Sequence, residues 1–153
     1  MFNTLIFLHS LFRWLVLFSL LYAILRAWTG LESERKFTRS DNALRHWTVT
    51  IAHIQLILGM ALYTQSETVK RFFAHVSAHE RITDPVFFGV IHISLMLLAI
   101  VLITIGSAKA KRKNVDSDKF RTMLLWFSIA LLIIFIAIPW PFSPLATRPY
   151  LHT

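Results

Sequence analysis

The sequence predicts an all-α integral membrane protein, an up-and-down bundle of four transmembrane helices. Three observations predict this fold class. Of the 153 residues, 56% are hydrophobic and only 16% are charged, whereas a soluble domain carries about 25% charged residues. The apolar residues fall into four long runs, and most of the basic residues lie beside two of the three connections. Four Gly and five Pro among thirteen Phe and five Trp exclude a disordered or low-complexity chain.

Each of the four apolar runs is long enough to cross the hydrocarbon core, which takes about 20 helical residues. We place the spans at about 5–28, 47–64, 86–106 and 122–142. Four such runs leave too few polar residues to cover a soluble core, so residues 1–153 are interpreted as one four-span domain. No basic segment precedes the first run and no small-residue cleavage site follows it. We therefore expect a retained helix and not a signal peptide.

Basic side chains are distributed unevenly among the connections. The first and third connections, with the span ends beside them, contain Arg26, Arg35, Lys36, Arg39, Arg45, Lys109, Lys111, Arg112, Lys113, Lys119 and Arg121. The positive-inside rule places both connections in the cytoplasm and both termini on the periplasmic side of a bacterial inner membrane. The net charge of +8 is then a topology signal in contact with anionic lipid, and no nucleic-acid partner is expected.

The connection over 65–84 is predicted to contain a short amphipathic helix on the membrane surface. Its apolar residues recur at helical spacing: Val69, Phe72, Phe73 and Val76. Pro85 is a suitable first residue for the third span. On such a surface helix His75 and His79 would share one face, and they are weak candidates for binding zinc or copper. A solvated polar face is the simpler interpretation of these two residues.

The first three spans contain one histidine each: His9, His53 and His92. Ionisable residues at membrane depth are costly and mark cofactors, proton paths or partner contacts. Neutral imidazole is a good haem-iron ligand, and a b-type haem needs no cysteine, which this chain lacks. We predict haem b as the cofactor. His9 and His92 are the preferred axial pair, because they lie roughly 6 Å and 9 Å below the same boundary while His53 lies near mid-membrane.

Two neighbouring residues fit a haem pocket. Arg13 lies one turn after His9 on the same helix face and is a candidate partner for a haem propionate; the alternatives are a bond to a carbonyl or snorkelling. Gly89 lies one turn before His92 and would let a flat macrocycle approach the backbone, although small residues also mediate ordinary helix packing. A quinone is a second candidate ligand. Gln55 would hydrogen-bond either to it or across helices.

Four motifs run through nearly the whole chain in order. They are His9-Ser10-x-x-Arg13-Trp14, His53-x-Gln55-Leu56-x-x-Gly59-x-x-Leu62-Tyr63, His92 with Met96, Ala99 and Gly106, and Pro139-Trp140-Pro141-Phe142. The chain thereby resembles a group of small four-helix bacterial membrane proteins labelled cytochrome b-like. This resemblance implies haem, with His9, His53 and His92 as candidate ligands and Arg13 beside them. It implies no particular electron donor or acceptor.

These observations predict a haem-binding protein for electron transfer, coupled to quinone or to a respiratory complex. The alternative is a cofactor-free accessory or scaffold subunit of a larger inner-membrane complex, in which the histidines bond across helices. The expected partners are membrane lipid and a larger membrane complex or redox protein. No catalytic constellation appears, because Ser10 and His9 are sequence neighbours that do not face each other on a helix. An electron-transfer or accessory role is therefore favoured over a stand-alone enzyme.

Overall fold

The computed structural model describes residues 2–74 and 86–140, whose secondary structure is entirely helical. The helices are α1 (Phe2–Glu32), α2 (Arg39–Gln65), α3 (Glu67–Ala74), α4 (His92–Arg112) and α5 (Asp116–Ala137), and a π-helical turn at Phe87–Ile91 leads directly into α4. Four of these helices, counting the π-helical turn with α4, are long and apolar enough to cross a membrane. The prediction of an all-α chain with four candidate spans is confirmed.

The four long helices expose apolar side chains along much of their length. In the most apolar 18-residue stretch of each, only 11% to 33% of the residues are buried inside the protein. Phe18, Ile57 and Leu132 are 64%, 68% and 61% exposed. Apolar patches of this extent are rare on soluble monomers. A helix suits such surroundings because it satisfies its own backbone N–H and C=O groups, so these faces are compatible with lipid contact.

Close packing between the long helices depends on small residues. α1 packs against α2 and α5, and α4 packs against α5 and α2. Glycine and alanine let helix backbones approach closely in a membrane. A Cβ atom added to Gly30 would lie 2.6 Å from the ring of Phe120, and one added to Gly106 would collide with the Cβ of Trp126. Fully buried residues of this core are Leu20, Ala23, Ala27, Ala99, Ile103, Phe127 and Ala130.

A buried carboxylate organises the start of α2. The side chain of Asp41 is 1% exposed and pairs with Nη2 of Arg26 at 2.9 Å and with Nη1 of Arg35 at 2.6 Å. Thr38 and Asp41 form a capping box: Thr38 Oγ1 accepts from the Asp41 amide, and Asp41 Oδ2 accepts from the Thr38 amide. The hydrogen bond to Asp41 raises the pKa of the Arg35 guanidinium. These contacts fix the connection between α1 and α2.

The α1–α2 and α4–α5 connections lie together at one end of the molecule, which we name the loop end. The ring of Phe37 is 5.0 Å from the ring of Phe120, and the Arg35 guanidinium lies 4.6 Å from the centre of the same Phe120 ring. Nearby, Arg45 of α2 donates to the hydroxyl and the carbonyl of Ser107 in α4. The two basic connections of the sequence therefore share one end.

The helix ends differ from the predicted span limits. α5 ends at Ala137, before the predicted limit at 142, because Pro139 has no N–H and disfavours helical backbone at Ile138. The carbonyl of Phe135 would otherwise pair with the amide of residue 139, and it accepts the Trp140 indole N–H at 2.8 Å. The other three long helices extend past their predicted limits into polar turns.

The predicted surface helix is present as α3, over part of the 65–84 connection. Val69 is buried, whereas Phe73 is 65% exposed, so the helix is amphipathic, and its location on the membrane surface stays a prediction. The predicted continuation at Val76 and the predicted start of the third span at Pro85 lie outside the described residues.

Candidate ligand-binding cavity

A cavity of about 350 Å³ lies among the long helices at the end opposite the loop end, beside α3. Ligand sites usually range from about 300 to 1,000 Å³ and combine apolar walls with a few polar groups. Here the walls are mainly aliphatic side chains, and none of the described lining residues is acidic. The polar side chains that line it are His9, Ser10, Arg13, Gln55, Tyr63, Ser66, Thr68 and His92. The cavity therefore brings together His9, Arg13 and His92 of the predicted site.

His92 is anchored through one ring nitrogen. Its Nδ1 lies 2.8 Å from the carbonyl oxygen of Ala137, so Nδ1 carries the proton and donates. The Ala137 carbonyl is free to accept because α5 ends there, ahead of Pro139. In a neutral imidazole the other nitrogen then has a lone pair. Nε2 of His92 is therefore an acceptor or metal ligand, and no hydrogen bond to it forms within residues 2–74 and 86–140.

The π-helical turn before His92 is stabilised from α2 and α3. The Tyr63 hydroxyl donates to the carbonyl of Gly89 at 2.8 Å, which a wide π-turn leaves accessible. Phe72 of α3 covers the other side, since a Cβ atom on Gly89 would lie 2.6 Å from Phe72 Cγ. π-helical turns inside α-helices often occur at functional sites. This one sets the position at which the His92 side chain leaves the helix.

Gly89, which the sequence placed in the haem pocket, does not line the cavity. We expected its missing side chain to admit a flat macrocycle beside His92. Instead Phe72 fills the space above Gly89, and Gly89 is not among the cavity residues. The missing side chain of Gly89 makes room for the Phe72 ring of α3. The spacing between Gly89 and His92 in the sequence does not reveal this contact with another helix.

His9 is held by Gln55 across the α1–α2 interface. The Gln55 side-chain nitrogen lies 3.0 Å from the His9 carbonyl oxygen and 3.3 Å from His9 Nε2. A carbonyl only accepts, so this Gln55 atom is the amide nitrogen, and its two protons serve both acceptors. His9 Nε2 therefore has the lone pair and Nδ1 carries the proton. Gly59 provides room for the ring, since a Cβ there would lie 3.2 Å from His9 Cε1.

Two polar atoms of this pair are buried without a hydrogen-bond partner among the described residues. They are His9 Nδ1, a donor, and Gln55 Oε1, an acceptor. Both side chains line the cavity. Buried polar groups are nearly always satisfied by protein, water or ligand, so we expect a water molecule or a polar ligand group at these two atoms. The sequence identified Gln55 as polar within a span and did not reveal its contact with His9.

Arg13 also lines the cavity, and its guanidinium lies 5.7 Å from the centre of the Trp14 ring. It is half-buried, one helical turn from His9. Arg13 brings a basic side chain to the cavity wall, and none of the described lining residues is acidic.

His53 lies outside the cavity, contrary to its place among the predicted ligands. The Thr104 hydroxyl donates its proton to the carbonyl of Ile100 at 2.7 Å, so it accepts from His53 Nε2 at 3.1 Å. His53 thus links α2 to α4. It lies two residues from Gln55, about 200° around the helix, and so faces away from the cavity that Gln55 lines. The predicted depth of His53 in the membrane does not reveal that its side chain faces away from the cavity.

In the described part of the chain, no group of three or more His, Asp or Glu side chains could hold a metal ion. Haem iron needs only two protein ligands at most, so this finding concerns other metal centres. The weak candidates His75 and His79 lie outside the described residues. Comparison with known proteins finds no matching family model, no similar curated protein and no similar solved structure.

Proposed function

We propose that this chain is a b-type haem-binding membrane protein that transfers electrons, with His92 as the principal axial ligand. The observation that carries this proposal is the state of His92. Its Nδ1 proton is held by the Ala137 carbonyl, which leaves Nε2 to bind a metal from a cavity that His92 lines. Metal-binding histidines typically donate their second ring N–H to a carbonyl or carboxylate, which fixes the ring and its tautomer.

The other residues fit haem to different degrees. Aliphatic walls suit a porphyrin, and Arg13 is the basic side chain of the cavity wall that we assign to a propionate. His9 lines the same cavity and is the candidate second ligand. Its Nε2 accepts from Gln55, so Gln55 would have to release this atom for His9 to bind iron. When bound, haem supplies a one-electron redox centre, and the protein orients it and limits water access.

The test is the absorption spectrum of the purified full chain, oxidised and reduced with dithionite, with haem per chain quantified. We expect a b-type spectrum and a large loss of haem in His92→Ala. His53→Ala is the matched control, because His53 also bonds across helices but lies outside the cavity, and it should retain haem. Protein that is colourless when made in haem-replete cells, or an unchanged spectrum in His92→Ala, would overturn the proposal.

A cofactor-free accessory subunit is the second candidate, and one observation favours it. Each intramembrane histidine already bonds across helices: His9 with Gln55, His53 with Thr104 and His92 with Ala137. Such bonds contribute about 0.6 kcal/mol each on average, and structural histidines need no further role. Co-purification with a larger membrane complex, combined with no bound chromophore, is the result expected from an accessory subunit. A stable isolated haem protein contradicts it.

The proposed placement is the bacterial inner membrane, with both termini and α3 on the periplasmic side. Its support is the concentration of basic residues at the loop end, which the positive-inside rule assigns to the cytoplasm. The chain has no cysteine, so single cysteines report accessibility cleanly. In intact cells an impermeant thiol reagent should label Lys70→Cys in α3 and leave Lys113→Cys unlabelled. The reverse pattern contradicts this orientation.

A further inference from the structure

The contact between His9 and Gln55 creates a specific requirement in the cavity wall. Gln55 uses both amide protons on acceptors of His9, the carbonyl oxygen and Nε2. This arrangement leaves His9 Nδ1–H as a donor and Gln55 Oε1 as an acceptor. Both atoms are buried and have no partner within residues 2–74 and 86–140. The Gln55 amide nitrogen lies 3.3 Å from His9 Nε2 and both side chains line the same cavity, so the two atoms belong to one part of its wall.

A hydroxyl group meets this requirement, and a ketone does not. A hydroxyl oxygen accepts from the His9 N–H, and its proton is donated to Gln55 Oε1. A ketone oxygen accepts from His9 but has no proton to donate, so Gln55 Oε1 stays buried and unsatisfied. An unsatisfied buried acceptor typically costs more than an average hydrogen bond contributes. The pair therefore discriminates between two ligands that differ in one O–H bond.

We propose that the His9–Gln55 pair binds the hydroxyl head of an apolar aromatic alcohol, the chemical class of the quinols, in preference to the corresponding quinone. The rest of the cavity supports an occupant of this kind. Its walls include Leu56, Met60 and Met96, which suit a ring and an apolar tail. The lone pair on His92 Nε2 is a further acceptor for a ligand that donates protons.

This inference goes beyond the haem proposal and does not require it. Haem binding depends on Nε2 of His92, whereas selection of the hydroxyl form depends on Nδ1 of His9 and Oε1 of Gln55. The two proposals also make opposite demands on Gln55. If His9 ligates iron through Nε2, Gln55 must leave that atom, and the donor–acceptor pair is lost.

The experiment measures binding of one ligand pair to the full chain in lipid nanodiscs. Decylubiquinol and decylubiquinone are titrated anaerobically by calorimetry, against empty nanodiscs that correct for partition into lipid. The quinol should bind the wild-type protein about tenfold more tightly than the quinone, the order expected for one buried unsatisfied acceptor. In Gln55→Leu, which removes the acceptor, the two affinities should agree within about twofold.

His53→Ala is the control variant, since His53 also forms a polar contact between helices but lies outside the cavity, and it should keep the preference. The wild-type result stands even if Gln55→Leu fails to fold. Equal affinities in the wild type, tighter quinone binding, no binding of either probe, or a preference that persists in folded Gln55→Leu would each overturn the inference. A colourless protein that prefers the quinol refutes only haem binding, and a haem protein with no preference refutes only this inference.

Discussion

The loop end differs from the opposite end of the molecule, which contains the cavity and which we call the cavity end. The buried polar side chains at the loop end are hydrogen-bonded, whereas two polar atoms at the cavity end have no such partner among the described residues. At the loop end Asp41, although 1% exposed, is bonded to Arg26, Arg35 and Thr38. At the cavity end His9 Nδ1 and Gln55 Oε1 are buried without a partner in the described part of the chain. A buried network that is fully satisfied rigidifies a fold, whereas a partly satisfied one is costly.

Helix packing is also tighter at the glycines of the loop end than at Gly59, beside the cavity. Near the loop end the positions of Gly30 and Gly106 have no room for a methyl group, because Phe120 and Trp126 lie against them. At the cavity end a Cβ at Gly59 would be only slightly too close to His9, at 3.2 Å, and about 350 Å³ remains between the helices. Gly89, near the cavity, is as tightly covered by Phe72 as Gly30 is by Phe120. The difference between the ends is therefore the cavity itself, which is the space that the proposed ligand would occupy.

The largest effect is expected from Asp41→Ala, which breaks the network at the loop end. It removes both ion pairs and the capping box, and it leaves two arginines facing each other. We expect a loss of about 3 kcal/mol in the free energy of unfolding, measured by SDS titration in mixed micelles. Glu67→Ala is the control: its pair with Lys70 is exposed on both sides, so no measurable change is expected. Equal stability of the two variants would contradict the proposed role of Asp41.

A smaller effect is expected when a methyl group is added to the tightly packed glycine of α4. Gly106→Ala should cost about 1–3 kcal/mol, because the Cβ of Trp126 lies against this position and cannot move without shifting α5. The matched variant is Gly59→Ala at the cavity end, where the His9 ring can yield by a few tenths of an ångström. That variant should retain most of its stability in the same SDS titration. A larger loss in Gly59→Ala would contradict the contrast between these two glycines.

The contrast between the ends explains how far the sequence alone could predict the structure. Long apolar runs predict the helices well, because an apolar solvent forces backbone groups to pair within each helix. The depth of His9 and His92 placed them together, and the structure brings both to the cavity. The orientation of His53 toward Thr104 was not predictable, because it depends on how α2 packs against α4. The periodicity of the α2 sequence contains no information on that packing.

The tertiary contacts of the cavity were equally hidden from the sequence. Gln55 finds His9 only once α1 and α2 are in register. The anchor of His92 requires α5 to stop at Ala137, five residues before the predicted span end at 142. Pro139 is recognisable in the sequence as a helix breaker, and the carbonyl groups left without helical partners before it are acceptors for side chains such as His92 and Trp140.

The smallest effect is expected from Tyr63→Phe, which probes the boundary of the cavity. The variant removes one hydroxyl, whose only described hydrogen bond is to the Gly89 carbonyl in the π-helical turn. Loss of such a bond typically costs about 1 kcal/mol, measured by SDS titration. The carbonyl precedes His92 by less than one helical turn, so the variant should also weaken haem retention while Gly106→Ala leaves retention unchanged. Unchanged stability and unchanged haem retention in Tyr63→Phe would show that packing of Phe72 alone holds the π-helical turn. The hydrogen bonds at the cavity end would then contribute less to the contrast between the two ends than their geometry indicates.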